Sequence, residues 1–349
     1  MTAAADSPTA NATTADATAV GDTAVGDRLA KPVRLRLVHV IANPASGRAA
    51  DGQSVADALR QAGAAQVVVV ATTAEDPGLR QASAAVQAGC TLVVACGGDG
   101  TVRACAAGMV NTDVPLAVIP AGTGNLLAHN LGIPTDVADA IEVAVHAPTR
   151  RIDVGDAGGE IFTVMAGIGF DAMMIRDTNP TWKARLGSIA YVASALRHLR
   201  TRPAAVHVEI LEPPECANMA GPATMVLAGN LGTLTGGLTA FPDADPTNGS
   251  LELAMLNACT LRSWLAVLGS MITGSRRSSR RIRRGEAVSM IVRSNPARPW
   301  ELDGEDRPAV NELRICVKPA ALLVCVPADV TLGPASKSAP WAPRVVPET

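Results

Sequence analysis

The stretch Leu92-Val-Val-Ala-Cys-Gly-Gly-Asp-Gly-Thr101 organises the rest of the chain. Its apolar residues 92–95 predict a short buried strand, and the alanine-rich segment 102–110 after the glycines has helical spacing. A strand that runs through glycines into a helix exposes backbone N–H groups, which favour a phosphate. Asp99 adds a carboxylate suited to a Mg²⁺ ion that bridges phosphate oxygens. A plain tight turn would also explain the glycines. The neighbouring motifs are therefore needed to decide between a turn and a phosphate site.

The composition is that of a globular protein without a bias towards nucleic acid. The chain has 349 residues, of which 48% are hydrophobic and 18% charged, and its formal net charge is −2. One Tyr and three Phe are too few for the stacking platforms that bind single-stranded nucleic acid. Seven scattered cysteines without a C-x-x-C pair predict reduced thiols and a cytoplasmic location. We expect neither a signal peptide nor a transmembrane helix.

Strands and helices alternate along the first part of the chain, which predicts parallel strands in a three-layer α/β domain. Three of the four expected strand ends carry glycine together with Ser, Thr or Asn, and ligand sites gather at such carboxyl ends. The expected order is a disordered tail (1–30), an α/β nucleotide-binding domain (31–150), a β-rich domain (151–327) and a second disordered tail (328–349).

Beyond residue 150, short or alternating apolar runs predict an antiparallel sandwich, interrupted by helices at 181–200 and 261–272. The run Gly167-Ile-Gly-Phe-Asp-Ala172 fits the G-x-G-x-x-A pattern of dinucleotide sites. Such a site also needs an acidic residue about twenty positions further on, and residues 188–193 contain none. We therefore interpret the match as coincidental.

Five motifs follow one another along the chain: Asn43-Pro-x-Ser-Gly47, Gly97-Gly-Asp-Gly-Thr101, Gly122-Thr-Gly-Asn125, Gly169-Phe-Asp-Ala172 and Leu302-Asp-Gly-Glu305. Their order resembles that of the diacylglycerol kinase catalytic family, which includes bacterial diacylglycerol kinases, related bacterial lipid kinases and sphingosine kinases. The resemblance runs from about residue 34 to 327. Gly-Gly-Asp-Gly-Thr alone is shared with the NAD kinases, whereas the first and last motifs narrow the resemblance to lipid kinases.

The resemblance implies an active site in the cleft between the two domains, with ATP and Mg²⁺ bound there. Glu305 matches the family's general base, supported by Asp303, and Asp99 would face the transferred phosphoryl group. Asp153 and Lys183 are further active-site candidates. The positions implied to contact the nucleotide are Asn43, Pro44, Ser46, Gly47, Arg48, Thr73, Gly97, Gly98, Asp99, Gly100, Thr101, Gly122, Thr123 and Asn125. The chain has no Walker A sequence, so it is not a P-loop enzyme.

Three of these candidates also have simpler interpretations. Lys183 would be a solvated side chain next to a helix. Asp153 would merely end a strand. Asp303 and Gly304 would form an ordinary hairpin turn.

The sequence departs from the family pattern at two places. Many members continue Gly-Gly-Asp-Gly-Thr with x-Asn-Glu, whereas residues 102–104 are Val-Arg-Ala here, and Arg103 would still reach a phosphate. Bacterial members also carry Asp-Gly near residue 248 for a structural Mg²⁺. An amide is a weaker ligand for a hard cation than a carboxylate, so Asp245, Asn248 and Ser250 would hold that ion weakly.

We therefore expect an ATP-dependent lipid kinase that converts diacylglycerol to phosphatidic acid. Sphingosine-kinase activity, NAD-kinase activity and a nucleotide-binding protein that has lost catalysis are the alternatives. The apolar segment 263–272 precedes six arginines within 276–284, which predicts peripheral contact with an anionic membrane surface, at the inner face. A core helix with a solvated basic loop is the simpler interpretation. The sequence does not decide between a monomer and a homodimer.

Overall fold

The computed structural model describes residues 35–46, 51–169, 202–234 and 237–333. The tail 1–30, the helix expected at 181–200 and positions 170–172 of the G-x-G-x-x-A run lie outside the described residues. The same holds for three candidate site residues, Gly47, Arg48 and Lys183.

The first part of the chain alternates strands with helices, as predicted. The strands are β1 (Leu37–Ala42), β2 (Gln66–Ala71), β3 (Leu92–Gly97) and β4 (Leu116–Pro120), and the helices are α1 (Gly52–Gln61), α2 (Leu79–Gln87), α3 (Asp99–Met109), α4 (Leu126–Asn130) and α5 (Val137–His146). Helices α1 and α5 begin where the sequence supplies a cap. Asp51 accepts a hydrogen bond from the Ser54 N–H, and Asp136 accepts one from the Ala138 N–H.

The parallel strands lie in the order β2-β1-β3-β4 and are in register at their carboxyl ends. Ala42, the last residue of β1, pairs with Ala71 of β2 and Cys96 of β3. Gly97 in turn pairs with Pro120, the last residue of β4. The loops that follow all four strands therefore leave the same edge of the sheet, where the sequence places its glycine motifs.

The second part is rich in antiparallel strands. Its elements are β5 (Thr149–Ala157), β6 (Glu160–Phe162), β7 (Met165–Ile168), β8 (Ala204–Glu212), β9 (Met219–Ala223), β10 (Met225–Gly229), β11 (Thr233–Leu234), β12 (Leu238–Thr239), β13 (Leu251–Leu256), α6 (Leu261–Ile272), β14 (Ile282–Ala287), β15 (Ser289–Leu302) and β16 (Glu305–Cys325). The predicted fold class, a mixed α/β nucleotide-binding domain followed by a β-rich sandwich domain, is confirmed.

Two elements differ from the sequence prediction. Strand β14 lies within the arginine-rich stretch expected to be a loop, because Ile282 and Ala287 at its ends are buried and the strand pairs with β13. Strand β16 is one long strand where two were expected. Ala320 adopts a φ of 47° inside it, at the irregularity that separates the two expected strands.

Strand β16 also joins the two parts of the molecule. It pairs with β15 and β5 in antiparallel fashion, and Val324 near its end pairs with Leu116 of β4 in parallel. Leu313 and Ile315 belong to the core of the sandwich, whereas Val324 is buried in the core of the α/β domain. The chain therefore returns to its first domain before it ends, and one continuous sheet runs through both.

The expected start of the second tail, at residue 328, is too early. Val330 and Leu332 pack against the core of the α/β domain, since their apolar side chains find a surface there. A Cβ on Gly132 would lie 2.6 Å from a methyl carbon of Val330.

In the described part of the chain, no helix is both long enough and apolar enough to cross a bilayer.

Candidate active site

Two glycine loops touch at the carboxyl edge of the sheet. Gly98 precedes α3, and Gly122 follows β4. A Cβ on Gly122 would lie 2.5 Å from the Cα of Gly98, and a Cβ on Gly98 would lie 3.2 Å from the Cα of Gly122. Asn125 holds the second loop, because its amide accepts from the Gly122 N–H and donates to the Gly122 carbonyl, both at 2.9 Å. The loops thus form a backbone cradle that a side chain at either glycine would fill.

Asp99, the first residue of α3, connects this cradle to α4. Its Oδ1 accepts a hydrogen bond of 2.5 Å from the Leu126 N–H. Burial raises the pKa of Asp99 and the negative charge of Asp303 raises it further, although the Leu126 amide opposes both effects. The two carboxylates are therefore close enough for their negative charges to affect each other.

Asp303 and Gly304 form the two-residue turn between β15 and β16. Their φ values are 45° and 86°, and Leu302 pairs with Glu305 across the turn. Two consecutive positive φ values are the hairpin geometry that Asp-Gly sequences favour. The expected hairpin turn is confirmed, and it presents Glu305, whose role in a site stays a prediction.

The carboxylate of Asp303 is buried and fully engaged. One oxygen accepts from the N–H and hydroxyl of Thr163 at 2.8 and 3.0 Å, and the other accepts from the N–H groups of Val164 and Met165, both at 2.9 Å. Burial raises the pKa of Asp303, against the opposing effect of these amide hydrogen bonds. Asp303 therefore fixes the hairpin against the loop before β7.

The two carboxylate oxygens of Glu305 face different groups. Oε2 accepts a hydrogen bond from Nη2 of Arg103 and lies 3.4 Å from Nη2 of Arg307. Oε1 faces α3, and a Cβ on Gly100 would lie 2.6 Å from it. The side chain of Glu305 is 41% exposed, so a ligand can reach it. The hairpin thus places one carboxylate oxygen over the first turn of α3, beside the glycine cradle.

Glu160 in β6 pairs its negative charge with the positive charges of Arg103 and Arg307. Nε and Nη2 of Arg307 bind its carboxylate at 2.9 and 2.6 Å, and Nη1 of Arg103 lies 4.0 Å away. The hydrogen bond from Arg307 lowers the pKa of Glu160. The side chain of Arg103 is only 9% exposed and also donates to the carbonyl of Ile161. Arg103, expected to reach a phosphate, is instead bound to Glu305.

Two family models match this chain. Residues 37–157 match the diacylglycerol kinase catalytic domain, and residues 163–326 match the YegS C-terminal NAD kinase beta sandwich-like domain. A YegS-like lipid kinase from Pseudomonas putida is 33% identical over 260 residues, which cover 72% of this chain and 83% of that protein. The diacylglycerol kinase of Bacillus subtilis is 28% identical over 282 residues, covering 78% of this chain and 90% of its own length.

The chain belongs to the diacylglycerol kinase catalytic-domain family of lipid kinases. A crystal structure of a diacylglycerol kinase from Bacillus anthracis strain Sterne has the same fold, with a TM-score of 0.64 at 19% sequence identity. That alignment covers 85% of this chain and 98% of the crystallised one.

The other nucleotide-contacting positions implied by the lipid-kinase family lie at the same sheet edge. Asn43 follows β1, where its N–H donates to the Cys96 carbonyl at 3.0 Å and its Oδ1 accepts from the Ala45 N–H at 2.9 Å. Pro44 and Ser46 form a short 3₁₀ turn after it, and Thr73 and Thr123 are exposed in the loops after β2 and β4. Thr101 is buried, and a Cβ on Gly97 would lie 2.8 Å from its side chain.

Asp153 is held by backbone groups from two other segments of the chain. Its carboxylate is buried, with Oδ1 accepting from the Ala320 N–H and Oδ2 from the Gly249 N–H, both at 2.7 Å. No described contact joins Asp153 to Asp99 or Glu305. Both oxygens fasten the loop 245–250 and strand β16, and the active-site role expected for Asp153 stays a prediction.

The loop expected to hold a structural Mg²⁺ in this lipid kinase is closed by its own hydrogen bonds. Oδ1 of Asn248 accepts from the N–H and hydroxyl of Ser250, both at 2.9 Å, and Oδ1 of Asp245 accepts from the N–H and hydroxyl of Thr247. Across the described residues, no three His, Cys, Asp or Glu side chains converge as a metal cluster. The donor set therefore does not fit this ion.

Arg307, Glu160 and Thr163 complete the site and were missed by sequence reasoning. The alternation of side chains along a strand would have placed Arg307 on the face of Glu305, two positions away. The partners Glu160 and Thr163 had no local signal.

Sequence reasoning also missed Glu301, because no local sequence pattern marks it. It is fully buried in β15, two positions before Asp303, and only the backbone of Gly304 opposes the effect of this burial on its carboxylate. Burial, followed by the charges of Asp303 and Asp306, raises the pKa of Glu301 to about 8.

Proposed function

We propose that the protein transfers the γ-phosphoryl group of ATP to the hydroxyl group of diacylglycerol, forming phosphatidic acid. The observation that carries this proposal is the position of Oε1 of Glu305, which a Cβ on Gly100 would approach to 2.6 Å. A hydroxyl group that donates to Oε1 would lie beside the start of α3, where a phosphate is favoured. Membership of the lipid-kinase family supports a lipid as the acceptor.

The chemistry assigned to Glu305 is general-base catalysis. Oε1 accepts the proton of the lipid hydroxyl as the hydroxyl oxygen forms its bond to the γ-phosphorus, and the bond from phosphorus to the bridging oxygen of ADP breaks. Arg103 and Arg307 hold Oε2, so they orient the carboxylate with Oε1 towards α3. Asp303 positions the hairpin and does not itself touch the reacting atoms.

The cradle between Gly98 and Gly122 fits the phosphates of a nucleotide, because a side chain at either position would fill it. The carboxylate of Asp99, at the start of α3, suits a divalent cation beside those phosphates. When bound, Mg²⁺ would neutralise the negative charge of the phosphates. Asp99 would hold the cation while the backbone of Gly98 and Gly122 holds the phosphates.

The acceptor resides in a bilayer, and α6 offers a surface to reach it. Leu261, Leu265 and Ile272 are exposed along this helix, at 40%, 48% and 59% of their surface, while Trp264 and Met271 pack against the core. The prediction that all six neighbouring arginines face the membrane needs correction, because three of them bind the protein itself.

Arg276 pairs with Asp243, Arg284 pairs with Glu252, and Arg283 donates to the Ala220 carbonyl. The side chains of the other three, Arg277, Arg280 and Arg281, are exposed and have no partner among the described residues. Exposed apolar side chains beside unpaired arginines suit an anionic bilayer.

A substrate panel tests the proposed reaction. The purified chain is given ATP labelled in its γ-phosphate, Mg²⁺ and, separately, diacylglycerol in mixed micelles, sphingosine and NAD. We expect labelled phosphatidic acid as the main product. Label on sphingosine or NAD with inert diacylglycerol would identify one of the alternative kinases, and no transfer to any acceptor would favour a protein that has lost catalysis.

A further inference from the structure

A small pocket opens between α6 and the loop that leads to β14. Its volume is about 220 Å³, below the roughly 300–1,000 Å³ of most small-molecule sites, so it suits a single headgroup rather than a nucleotide. Three serine hydroxyls and two arginines, Ser270, Ser275, Ser279, Arg277 and Arg281, line it over an apolar floor. No carboxylate lies among these lining residues, so the polar lining consists of hydrogen-bond donors and hydroxyls.

The local hydrogen bonds leave these donors available to a ligand. Oγ of Ser279 accepts from the N–H groups of Arg281 and Ile282, at 3.2 and 3.1 Å, so its O–H remains free to donate. Oγ of Ser275 likewise accepts from the Arg277 N–H at 3.4 Å. The hydroxyl of Ser270 makes no hydrogen bond with the described residues. The neighbouring arginines that are tied to acidic side chains, Arg276 and Arg284, do not line the pocket.

We propose that this pocket binds a phosphate monoester, the headgroup of phosphatidic acid in an anionic bilayer. A phosphate monoester carries almost two negative charges and three terminal oxygens at neutral pH, which matches two guanidinium groups and three hydroxyls. A phosphodiester headgroup has only two such oxygens and one charge. Leu265 and Ile272 on the exposed face of α6 would meet the acyl region beside the pocket.

That the phosphate belongs to a lipid rests on the proposed function. That the pocket recognises a phosphate monoester does not depend on it. If diacylglycerol is the acceptor, the pocket binds the product of the reaction away from the glycine cradle. The enzyme would then stay on membrane that it has already modified.

The test compares phosphatidylcholine vesicles that contain phosphatidic acid with vesicles that contain phosphatidylglycerol, adjusted to the same surface potential. The full chain should sediment more strongly with the phosphatidic acid vesicles. Ser270→Ala removes one donor without changing charge or any described hydrogen bond, and it should weaken that binding roughly tenfold. Arg281→Gln should weaken it at least fivefold. A control, Arg36→Gln with Arg314→Gln, alters two exposed arginines elsewhere and should preserve the preference.

Glycerol 3-phosphate distinguishes the two sources of a phosphate monoester. It should compete with phosphatidic acid vesicles for the wild-type protein more strongly than sodium chloride of equal ionic strength does. Direct binding of glycerol 3-phosphate, measured by calorimetry, without binding to the vesicles would overturn the lipid as ligand and leave a soluble phosphate monoester in its place.

Equal sedimentation with both vesicle types, unchanged by Ser270→Ala, would overturn the pocket. The proposed contact of α6 with the membrane would still hold after that result if replacing the arginines weakened vesicle binding. Failure to phosphorylate diacylglycerol would contradict only the proposed function, because vesicle binding is measured without ATP.

Discussion

Glu305 depends on Arg103 for its orientation, since Nη2 of Arg103 binds Oε2 and leaves Oε1 directed at Gly100. The buried guanidinium of Arg103 reaches Glu305 across 202 positions of sequence. In the proposed mechanism it acts through Glu305 and is therefore a positioning residue. This distinguishes it from a group that holds phosphate, whose loss would weaken the binding of ATP.

Arg103→Met should lower kcat about tenfold while the KM for ATP stays near the wild-type value, because coupled neighbours interact by roughly 0.5–3 kcal/mol. Arg103→Lys should recover part of the loss. In a Glu305→Gln background, Arg103→Met should cause little further loss. Steady-state kinetics of the four proteins in the cycle check this. Independent, multiplicative losses would show that Arg103 acts by another route.

Glu301 predicts a pH dependence of stability. Its pKa is raised to about 8 in the folded protein, so the folded state holds the proton more tightly than the unfolded chain. The stabilisation is complete below the unfolded pKa of about 4.3 and is lost as pH rises towards 8. Glu301→Gln should match the wild type near pH 5 and exceed it near pH 8 by a few kcal/mol, since one pKa unit corresponds to about 1.4 kcal/mol.

Urea unfolding of both proteins between pH 5 and pH 9 measures this effect. The wild-type curve should fall relative to that of Glu301→Gln across this range. Parallel curves would mean that Glu301 keeps an ordinary pKa.

At the scale of elements, substitutions at two glycines should affect stability and catalysis differently. Gly100 lies in α3 and faces only the terminal carboxylate of Glu305, whereas Gly122 faces the backbone of Gly98. Gly100→Ala should keep or slightly raise stability, because alanine favours a helix by about 1 kcal/mol over glycine. It should nevertheless lower kcat, since displacing a catalytic group by about 1 Å can cost roughly 10²-fold.

Gly122→Ala should lower the melting temperature and raise the KM for ATP, because the new Cβ forces the two glycine loops apart. Gly63→Ala serves as a control for a glycine with open space around it, although its φ of 94° will cost some stability. Equal kinetic effects of Gly100→Ala and Gly63→Ala would contradict the close approach of Glu305 to α3.

The element formed by α6 and its arginine loop predicts charge-dependent membrane binding. Replacing Arg277, Arg280 and Arg281 with Gln should weaken sedimentation with anionic vesicles roughly 10²-fold at low salt, at about 1 kcal/mol for each arginine near the surface. Added salt should imitate the change. The triple replacement of Arg36, Arg80 and Arg314 carries the same charge change and should leave binding close to wild type. Similar losses in both triples would assign the effect to net charge alone.

At the scale of the whole molecule, the sequence predicted what local patterns encode. The strand–glycine–helix stretches lie at one sheet edge because parallel strands end together, and α6 spans the predicted residues 261–272. The Asp-Gly turn before Glu305 follows from the backbone preferences of those two residues.

Features that depend on distant pairing were not predictable from the sequence. Strand β14 forms because it can pair with the edge of β13. The carboxylate of Asp153 accepts hydrogen bonds from the backbone of Gly249 and Ala320, which are 96 and 167 positions away in the sequence. The Arg103–Glu305 pair and the return of β16 to the first core arise in the same way. No periodicity or motif marks these partners, since each residue alone also fits a solvated or strand-ending role.

The central claim is that the hairpin of β15 and β16 brings a base, Glu305, to a phosphate cradle so that a lipid hydroxyl is phosphorylated. The most direct test measures transfer of label from ATP to diacylglycerol by the wild type and by Glu305→Gln. We predict a loss in kcat of roughly 10²–10⁴-fold for Glu305→Gln, with ATP binding and the melting temperature near wild type. Full kcat in a folded Glu305→Gln protein would contradict the claim.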